Sequence, residues 1–203
     1  MDDWGNFAEW VSAAAAVATF WVADIALMSW RNQLTGASKH KVALEIATAA
    51  RALKYAFYGA RSPLYESSEF PRWYLQQEPS RTNDDEARAY GWLYQRRWRF
   101  LWPYLRQLAH LVPKAGAILG DETAGTAEKL VRHTRRLNFF MAQRVKQLRA
   151  GEAIVATWSD QKFVALVKSS VDTGTTDDHT DQFSREFEDN FNALLSLLNP
   201  HLR

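Results

Sequence analysis

The residue types that could do chemistry are scattered along this chain. Its five histidines, His40, His110, His133, His179 and His201, never lie three or four positions apart, so no helical pair of metal ligands exists. Cysteine is absent, which excludes a thiolate nucleophile, a disulfide framework and cysteine-ligated metal clusters. The nucleophile-elbow, phosphate-loop and dinucleotide-binding signatures are absent too. We therefore predict no catalytic, cofactor-binding or metal site, and we do not expect an enzyme.

The densest polar cluster lies near the C-terminal end and contains Asp177, Asp178, His179 and Asp181. These side chains are able to bind a divalent cation. A short polar run just before an amphipathic helix is, however, the usual composition of a helix-capping loop. We favour the cap.

A stretch of alternating arginines and aromatic residues is the strongest candidate for a contact surface. Together with a second basic group further along the chain, it gives the candidate basic contact surface Arg96, Arg97, Arg99, Arg132 and Arg136. Aromatic rings between arginines can stack on single-stranded bases. Yet Tyr94, Trp98 and Leu101 fall on one helical stripe, which is typical of a buried face and leaves the arginines in water. We rank a solvated face first, contact with anionic lipid headgroups second and nucleic acid third.

The charge of the chain is distributed unevenly. Lys and Arg number 25 against 23 Asp and Glu, a net charge of +2 that does not by itself indicate nucleic-acid binding. Residues 1–30 contain four acidic residues and no Lys or Arg, and the first basic residue is Arg31. A long apolar run occupies the region without basic residues.

Residues 10–30 have the length of a membrane-spanning helix. At about 1.5 Å per residue this segment would be about 31 Å long, close to the thickness of a bilayer's hydrocarbon core. Trp4 and Trp10 at one end, and Trp30 and Arg31 at the other, resemble residues at a membrane interface. Because basic residues stay in the cytoplasm, we predict a protein of the cytoplasmic (inner) membrane with its N-terminus outside and its C-terminal body in the cytoplasm.

Asp24 is the residue that does not fit this prediction. A carboxylate at the centre of a single span costs about 2.5–3.5 kcal/mol on insertion scales, although Asp24 lies off-centre toward the cytoplasmic side. We therefore treat it as a membrane-embedded polar residue that faces a partner helix or water. The alternative is that residues 10–30 form a buried central helix in a soluble bundle, which would be equally apolar.

The remaining chain predicts a helical body. Residues 34–38 carry turn-forming residues, so we expect two regions: 1–33 with the transmembrane helix, and 38–203 as a cytoplasmic bundle. Apolar residues at spacings of three and four, together with capping residues, predict four long helices. These cover about 39–60, a helix from about 83 with a kink or break at Pro103, about 122–150, and about 180–198, where Asn199 and Pro200 end the last one.

The connections between these helices complete the predicted architecture. Residues 61–82 hold three prolines and several aromatic residues, which indicates an ordered proline-rich loop packed on the body. Residues 116–125 are predicted as a turn and 162–169 as a short helix, whereas 152–158 could be a strand. The fold class is therefore all-α: an N-terminal transmembrane helix followed by an antiparallel bundle of about four long helices.

Three blocks of the chain resemble a bacterial family without an assigned function. They read SWRNQLTGASKHKVALEIATAARALKYAFYGARSPLY, YQRRWRFLWPYLRQL and DQFSREFEDNFNALLSLLNPHLR. The resemblance implies one N-terminal transmembrane helix and a cytoplasmic helical-bundle domain. It implies no catalytic residue, and Asp24 and the proline-rich loop depart from the family's pattern.

Three functions follow as hypotheses from this organisation. The first is a non-enzymatic, membrane-anchored bundle that acts through contacts with lipid and with protein, as a homo-oligomer or with an unidentified protein partner. The second is an oligomeric membrane pore or effector, for example in bacterial defence, with Asp24 facing the pore. The third is a soluble helical bundle that binds nucleic acid through its arginine-rich faces. No cofactor is expected in any of them.

Overall fold

The computed structural model describes residues 3–62, 66–76, 82–151, 161–171 and 181–202, although not every side chain of 3–17 and 161–163. These residues form an all-α structure, as the sequence predicts, and no strand occurs among them. The six α-helices are α1 (Asp3–Arg61), α2 (Arg72–Leu75), α3 (Asn83–Leu119), α4 (Asp121–Ala150), α5 (Gln161–Val171) and α6 (Gln182–Leu202). The possible strand at 152–158 lies outside the described residues.

Helix α1 is continuous through residues 34–38, so the predicted break there is wrong. One glycine costs a helix only about 1 kcal/mol, which the neighbouring helix-forming residues can outweigh. The Thr35 hydroxyl donates a hydrogen bond to the carbonyl of Arg31 at 2.8 Å within the same helix. The chain nevertheless divides into two compact units, Met1–Lys41 and Val42–Arg203, and α1 contributes to both. No helical stretch within the described residues is long and apolar enough to cross a membrane.

The second unit is a helical bundle with one apolar core. Residues 42–61 of α1 bury a stripe at spacings of three and four that includes Ile46, Leu53 and Phe57. The Phe57 ring stacks on Phe187 of α6 with 4.0 Å between ring centroids. Helix α4 packs against α3, α5 and α6, so all the long helices contribute to this core.

Helices α3 and α4 form an antiparallel hairpin. Gly91 of α3 lies next to Val145 of α4, whereas Gly116 of α3 lies next to Ala124 of α4, so the two helices run in opposite directions. Thr82 caps α3, and of the two neighbouring candidates Thr82 and Asn83 it is the one that does so: its hydroxyl accepts a hydrogen bond from the Asp85 N–H at 3.2 Å. The predicted turn at 116–125 is too long. Only Gly120, at φ 102°, separates the two helices.

Prolines do not end the helices that contain them. Helix α3 continues as one helix through Pro103 and Pro113, and α6 continues through Pro200 to Leu202 instead of stopping at Asn199. Pro103, Pro113 and Pro200 are exposed, so water can bind the carbonyl groups that lose their helical partners. The predicted end of α4 is confirmed, because Gly151 follows it at φ 80°.

The described part of the proline-rich segment 61–82 is ordered against the body. It contains a 3-10 turn, Ser67–Glu69, and the short helix α2, which contacts α3. The Phe70 ring lies 5.5 Å from Tyr90 of α3 in an edge-to-face arrangement. The aromatic residues of this segment therefore attach it to α3, as the sequence predicts.

Candidate functional site

A long exposed apolar surface lies on α1. Every residue from 18 to 38 is exposed, and this stretch contains many of the exposed large apolar side chains of the described chain. These are Phe20, Trp21, Val22, Ile25, Leu27, Met28, Trp30 and Leu34. We call this stretch the apolar segment. Asp24 is exposed within it, on the same helical side as Phe20 and Leu27.

The residues predicted to lie at the membrane interface flank this segment or belong to it. Trp30 and Arg31 are both exposed near its C-terminal end. Trp4 and Trp10 belong to the helical backbone of α1, but their side chains lie outside the described residues. Of the two predicted membrane interfaces, the structure thus describes the side chains of the one that contains Trp30 and Arg31.

The structure does not bring the five arginines of the candidate basic contact surface together. Arg97 is buried, so the prediction that it lies in water is wrong. Its Nη2 lies 2.8 Å from Oε2 of Glu69, and its Nη1 donates to the carbonyl of Ser62 at 2.5 Å. The hydrogen bonds from Arg97, helped by its charge, lower the pKa of the Glu69 carboxyl. Arg97 therefore fastens the end of α1 and the 3-10 turn to α3.

The other four arginines of this set are exposed, but most of them have partners. Arg96 donates to the carbonyl of Ser68 at 2.8 Å, and Arg132 pairs with Glu128 at 3.1 Å on the same helix. Arg136 lies 3.3 Å from Glu186 of α6. Arg99 alone of the set has no ion pair or hydrogen bond recorded within the described residues, and it lines a groove between α3 and α4. Within the described residues these five arginines therefore do not form a continuous basic track.

A buried arginine that the sequence analysis overlooked holds three helix ends together. Arg61, the last residue of α1, is 0% exposed. Its Nε and Nη2 donate to the carbonyls of Ser170 and Ser169 at 2.8 Å each, in the last turn of α5. Carbonyls in the last turn of a helix generally lack helical partners, and the C-terminal end of a helix attracts a positive charge. The sequence does contain an indication that Arg61 is buried, since it follows Phe57 by four positions and therefore lies on the same buried stripe of α1.

The same guanidinium also reaches the beginning of α6. Arg61 Nη2 lies 3.1 Å from both carboxylate oxygens of Asp181, which accepts a hydrogen bond from the Ser184 N–H at 2.9 Å. Burial by itself would raise the pKa of Asp181, but the hydrogen bonds from Ser184 and the charge of Arg61 outweigh it and lower the pKa. Asp181 thus caps α6, in agreement with the predicted cap; residues 177–179 lie outside the described residues.

His133 is the one buried histidine of the described chain. Its ring stacks on Phe183 with 4.1 Å between centroids, and its Nε2 lies 2.9 Å from the Phe183 carbonyl. A carbonyl only accepts, so Nε2 carries the proton and donates it. Burial, together with the charge of Arg136, lowers the pKa of His133 to about 4. The imidazole is therefore a neutral part of the core at neutral pH.

The Arg61, Asp181 and Ser184 cluster does not have the arrangement of a catalytic site. The Ser184 hydroxyl donates to Asp181 at 2.6 Å and accepts from Arg61 at 2.5 Å, while His133 faces the Phe183 carbonyl instead. The Ser184 side chain is 0% exposed, so its hydroxyl is closed to a substrate. This cluster connects α1, α5 and α6 and thereby stabilises the fold.

Comparisons with protein-family models, with curated proteins and with solved structures found no match for this chain. Within the described residues, no group of three or more acidic or histidine side chains could hold a metal ion. The apolar segment of α1 and the groove that contains Arg99 are two surfaces that the packing of the described residues does not explain.

Proposed function

We propose that this protein is a non-enzymatic, membrane-anchored helical bundle of the bacterial inner membrane that acts through protein contacts as a homo-oligomer. The observation that carries the proposal is the exposure of every residue from 18 to 38, including the large apolar side chains of the apolar segment. Exposed apolar patches of more than a few hundred Å² mark surfaces that contact a membrane or another protein.

Lipid suits this segment better than a single protein groove. The side chains of Phe20, Trp21 and Val22 are 75%, 69% and 67% exposed, and successive residues of a helix point about 100° apart. The apolar surface therefore surrounds the helix instead of forming one stripe. One partner helix would cover only one side, whereas lipid covers every side.

The charge distribution supports an orientation for the anchor. Residues 1–30 contain no Lys or Arg, and Arg31 begins the part of the chain that holds all 25 basic residues. The positive-inside rule then places the N-terminus outside and residues 42–203 in the cytoplasm. The large core of the Val42–Arg203 unit is consistent with a body that folds in water.

Asp24 gives the reason to propose self-association. An exposed carboxylate among apolar side chains is expensive in a membrane and is usually found against another helix or water. In a homo-oligomer the copies of Asp24 would face one another and share a proton or a water molecule. Lipid contact would then be limited to the remaining sides of the segment.

Carbonate extraction of membranes from cells that express the full chain tests the anchor. We expect the protein to stay in the pellet, and deletion of residues 1–33 to release a folded body into the supernatant. Extraction of the full chain without detergent would contradict the anchor and favour a soluble bundle.

The absence of cysteine allows a direct test of orientation. With a membrane-impermeant maleimide, we expect Asp2→Cys to be labelled from the outside and Tyr55→Cys only after permeabilisation. Trp21→Cys should react slowly from either side, since lipid would cover it. Labelling of Tyr55→Cys in intact cells would contradict the proposed orientation.

Crosslinking in membranes tests the homo-oligomer. We expect Asp24→Leu to change the ladder of crosslinked species and Thr19→Leu to leave it unchanged. Thr19 is a matched control, because its hydroxyl bonds to the Ala15 carbonyl of the same helix at 2.8 Å. Identical ladders for native protein and Asp24→Leu would leave Asp24 without a role in assembly.

The second candidate function is an oligomeric pore or effector, and the exposed Asp24 on an apolar helix is the observation that favours it. In liposomes, such a pore would give an ion flux that Asp24→Leu abolishes and Asp24→Asn reduces. Stable oligomers without flux would support the anchored, non-conducting protein instead.

A further inference from the structure

We propose that the groove between α3 and α4 binds a small nucleotide, with its base against the tryptophans and its phosphate on the basic residues. We call this the α3–α4 groove. Its aromatic and amide lining is provided by Tyr94, Gln95, Trp98 and Asn138, and its basic lining by Arg99 and Lys146. The proposal concerns the folded body alone and is independent of whether the apolar segment enters a membrane.

The size of the groove suits a ligand of this class. Its volume is about 570 Å³, within the roughly 300–1,000 Å³ that small-molecule sites occupy. Gly91 lines it opposite Val145, and a glycine there keeps α3 from filling the space with a side chain. The buried Tyr94 and Met141 form part of an apolar floor.

Two neighbouring indole rings belong to this region: Trp98 lines the groove, and Trp102 lies beside Trp98. Trp98 is half-buried and Trp102 is exposed, with 6.0 Å between the ring centroids. Trp98 also lines an adjoining groove of about 630 Å³ together with Trp102 and Asn138. Exposed indole faces stack on planar bases whatever the identity of the base. This pair would therefore bind the aromatic part of the ligand.

The charged side chains that line the groove are all basic. Arg99, Lys146 and Arg149 line it, Arg135 lines the adjoining groove, and no Asp or Glu of the described residues lines either one. Arg149 pairs with Asp84 at 2.9 Å. The ion pairs recorded within the described residues include none of Arg99, Arg135 and Lys146. Like charges gathered in a partly enclosed groove attract an anion such as a phosphate.

Two amides give the groove a means of recognising a base edge. Gln95 and Asn138 both line it, one from each helix, and each amide offers a donor and an acceptor. A planar ring, a hydrogen-bonding edge and an anionic group within one small volume describe a nucleotide. A longer single strand fits less well, because Arg132 and Arg136 are paired with carboxylates and would not extend the basic track.

Calorimetric titration of the purified full chain, in detergent if required, tests the proposal. The probes are AMP, which carries both base and phosphate, adenosine, which lacks the phosphate, and pyrophosphate, which lacks the base. We expect AMP to bind with a Kd below about 1 mM, and adenosine and pyrophosphate each to bind at least about tenfold more weakly. An added twelve-residue oligonucleotide should compete no better than AMP.

Substitutions in the groove locate the binding. Arg99→Gln and Lys146→Gln should each weaken AMP binding by about tenfold, and Ala142→Phe should abolish it by filling the groove from an exposed position. Arg106→Gln, an exposed arginine of the same helix outside the groove, is the matched control and should bind AMP like the native chain. Thermal melts identify any variant that fails to fold.

Three results would overturn the proposal. The first is no saturable AMP binding by the native chain at millimolar concentration. The second is an equal loss of binding in Arg106→Gln and Arg99→Gln, since binding would then depend on general charge. The third is pyrophosphate or the oligonucleotide binding more tightly than AMP, which would indicate a plain anion site or a nucleic-acid surface respectively.

Discussion

The two ends of helix α1 have similar apolar content but opposite environments. Residues 18–38 are exposed at every position, whereas residues 42–61 bury about half of their positions in the core of the second unit. Along the second stretch the exposed positions follow a spacing of three or four residues. They are Leu44, Thr48, Arg51, Tyr55 and Gly59.

This difference shows that burial depends on the spacing of the apolar residues along the helix and not on their number. An apolar stripe at helical spacing can be covered by neighbouring helices of the same chain. Apolar residues on all sides of a helix require lipid or several partner helices. Helix α1 thus contains one segment whose apolar stripe packs within its own bundle and another whose apolar residues the bundle does not cover.

The largest expected effect is at Arg61, where the buried half of α1 ends. We expect Arg61→Ala to lower the free energy of unfolding by about 3–5 kcal/mol, because it leaves the half-buried Asp181 and two carbonyls without their donor. Arg51→Ala, an exposed arginine of the same helix, should change it by less than about 0.5 kcal/mol. Urea unfolding followed by circular dichroism measures both. Equal losses would mean that Arg61 does not anchor the helix end.

A second prediction compares two phenylalanines of α1. Phe57→Ala should cost about 3–5 kcal/mol, because the side chain is 0% exposed and stacks on Phe187. Phe20→Ala should leave the unfolding of the body unchanged while weakening the membrane association proposed above. Chemical denaturation and membrane fractionation of the two variants separate these effects. A large loss of stability in Phe20→Ala would show that the apolar segment belongs to the core.

The third prediction concerns pH and the aromatic cluster that receives α1. The His133 ring lies 6.2 Å from Phe57, and its pKa is about 4 in the folded chain against an ordinary value of 6.5. Above pH 6.5 the imidazole is neutral in both states. As the pH falls from 6.5 to 4, only the unfolded chain takes up the proton, so the free energy of unfolding decreases by about 3 kcal/mol.

Unfolding titrations between pH 7 and pH 4 would measure this loss. His133→Gln should flatten the pH dependence, whereas substitution of the exposed His110 by Gln should keep it. The carboxyl of Asp181 contributes only at lower pH, because its pKa is lowered from an ordinary 3.8. An unchanged slope in His133→Gln would show that this imidazole is not the group that titrates.

The smallest effect is expected from one hydroxyl group. Tyr58 donates a hydrogen bond to Glu188 of α6 at 2.7 Å, and Glu188 also pairs with Lys54 at 2.8 Å. Tyr58→Phe should therefore cost about 0.5–1.5 kcal/mol. Tyr55, three positions away and 82% exposed, is the control, and Tyr55→Phe should be neutral. A thermal melt with equal shifts in both variants would contradict a specific contact to α6.

Helix α4 illustrates what local pattern can predict. The sequence predicts residues 122–150, and the structure has Asp121–Ala150 with Gly151 after its end. The apolar stripe of α4 and the glycine that follows it lie within one continuous stretch of sequence, so no distant residue is needed to interpret them. The cap of α3 at Thr82 was predictable for the same reason.

Predictions of breaks were less successful. Residues 34–38, 116–119 and Pro200 are all helical, although their composition is typical of turns. A single glycine or proline costs a helix about 1–3 kcal/mol, and favourable neighbours or packing can outweigh that cost. The composition of a short stretch does not indicate how strongly its neighbours favour a continuous helix.

Short-range spacing and composition are enough to predict the all-helical class, the buried stripes and the apolar run of residues 10–30, which holds no basic residue. Which arginines are buried depends instead on contacts between residues that are far apart in the sequence. Arg97 meets Glu69 across 28 residues of sequence, and Arg61 meets Asp181 across 120. A buried charge is tolerated only where it contacts a group of opposite charge or carbonyl groups that accept its hydrogen bonds. Because these partners are far apart in the sequence, they meet only when the chain folds.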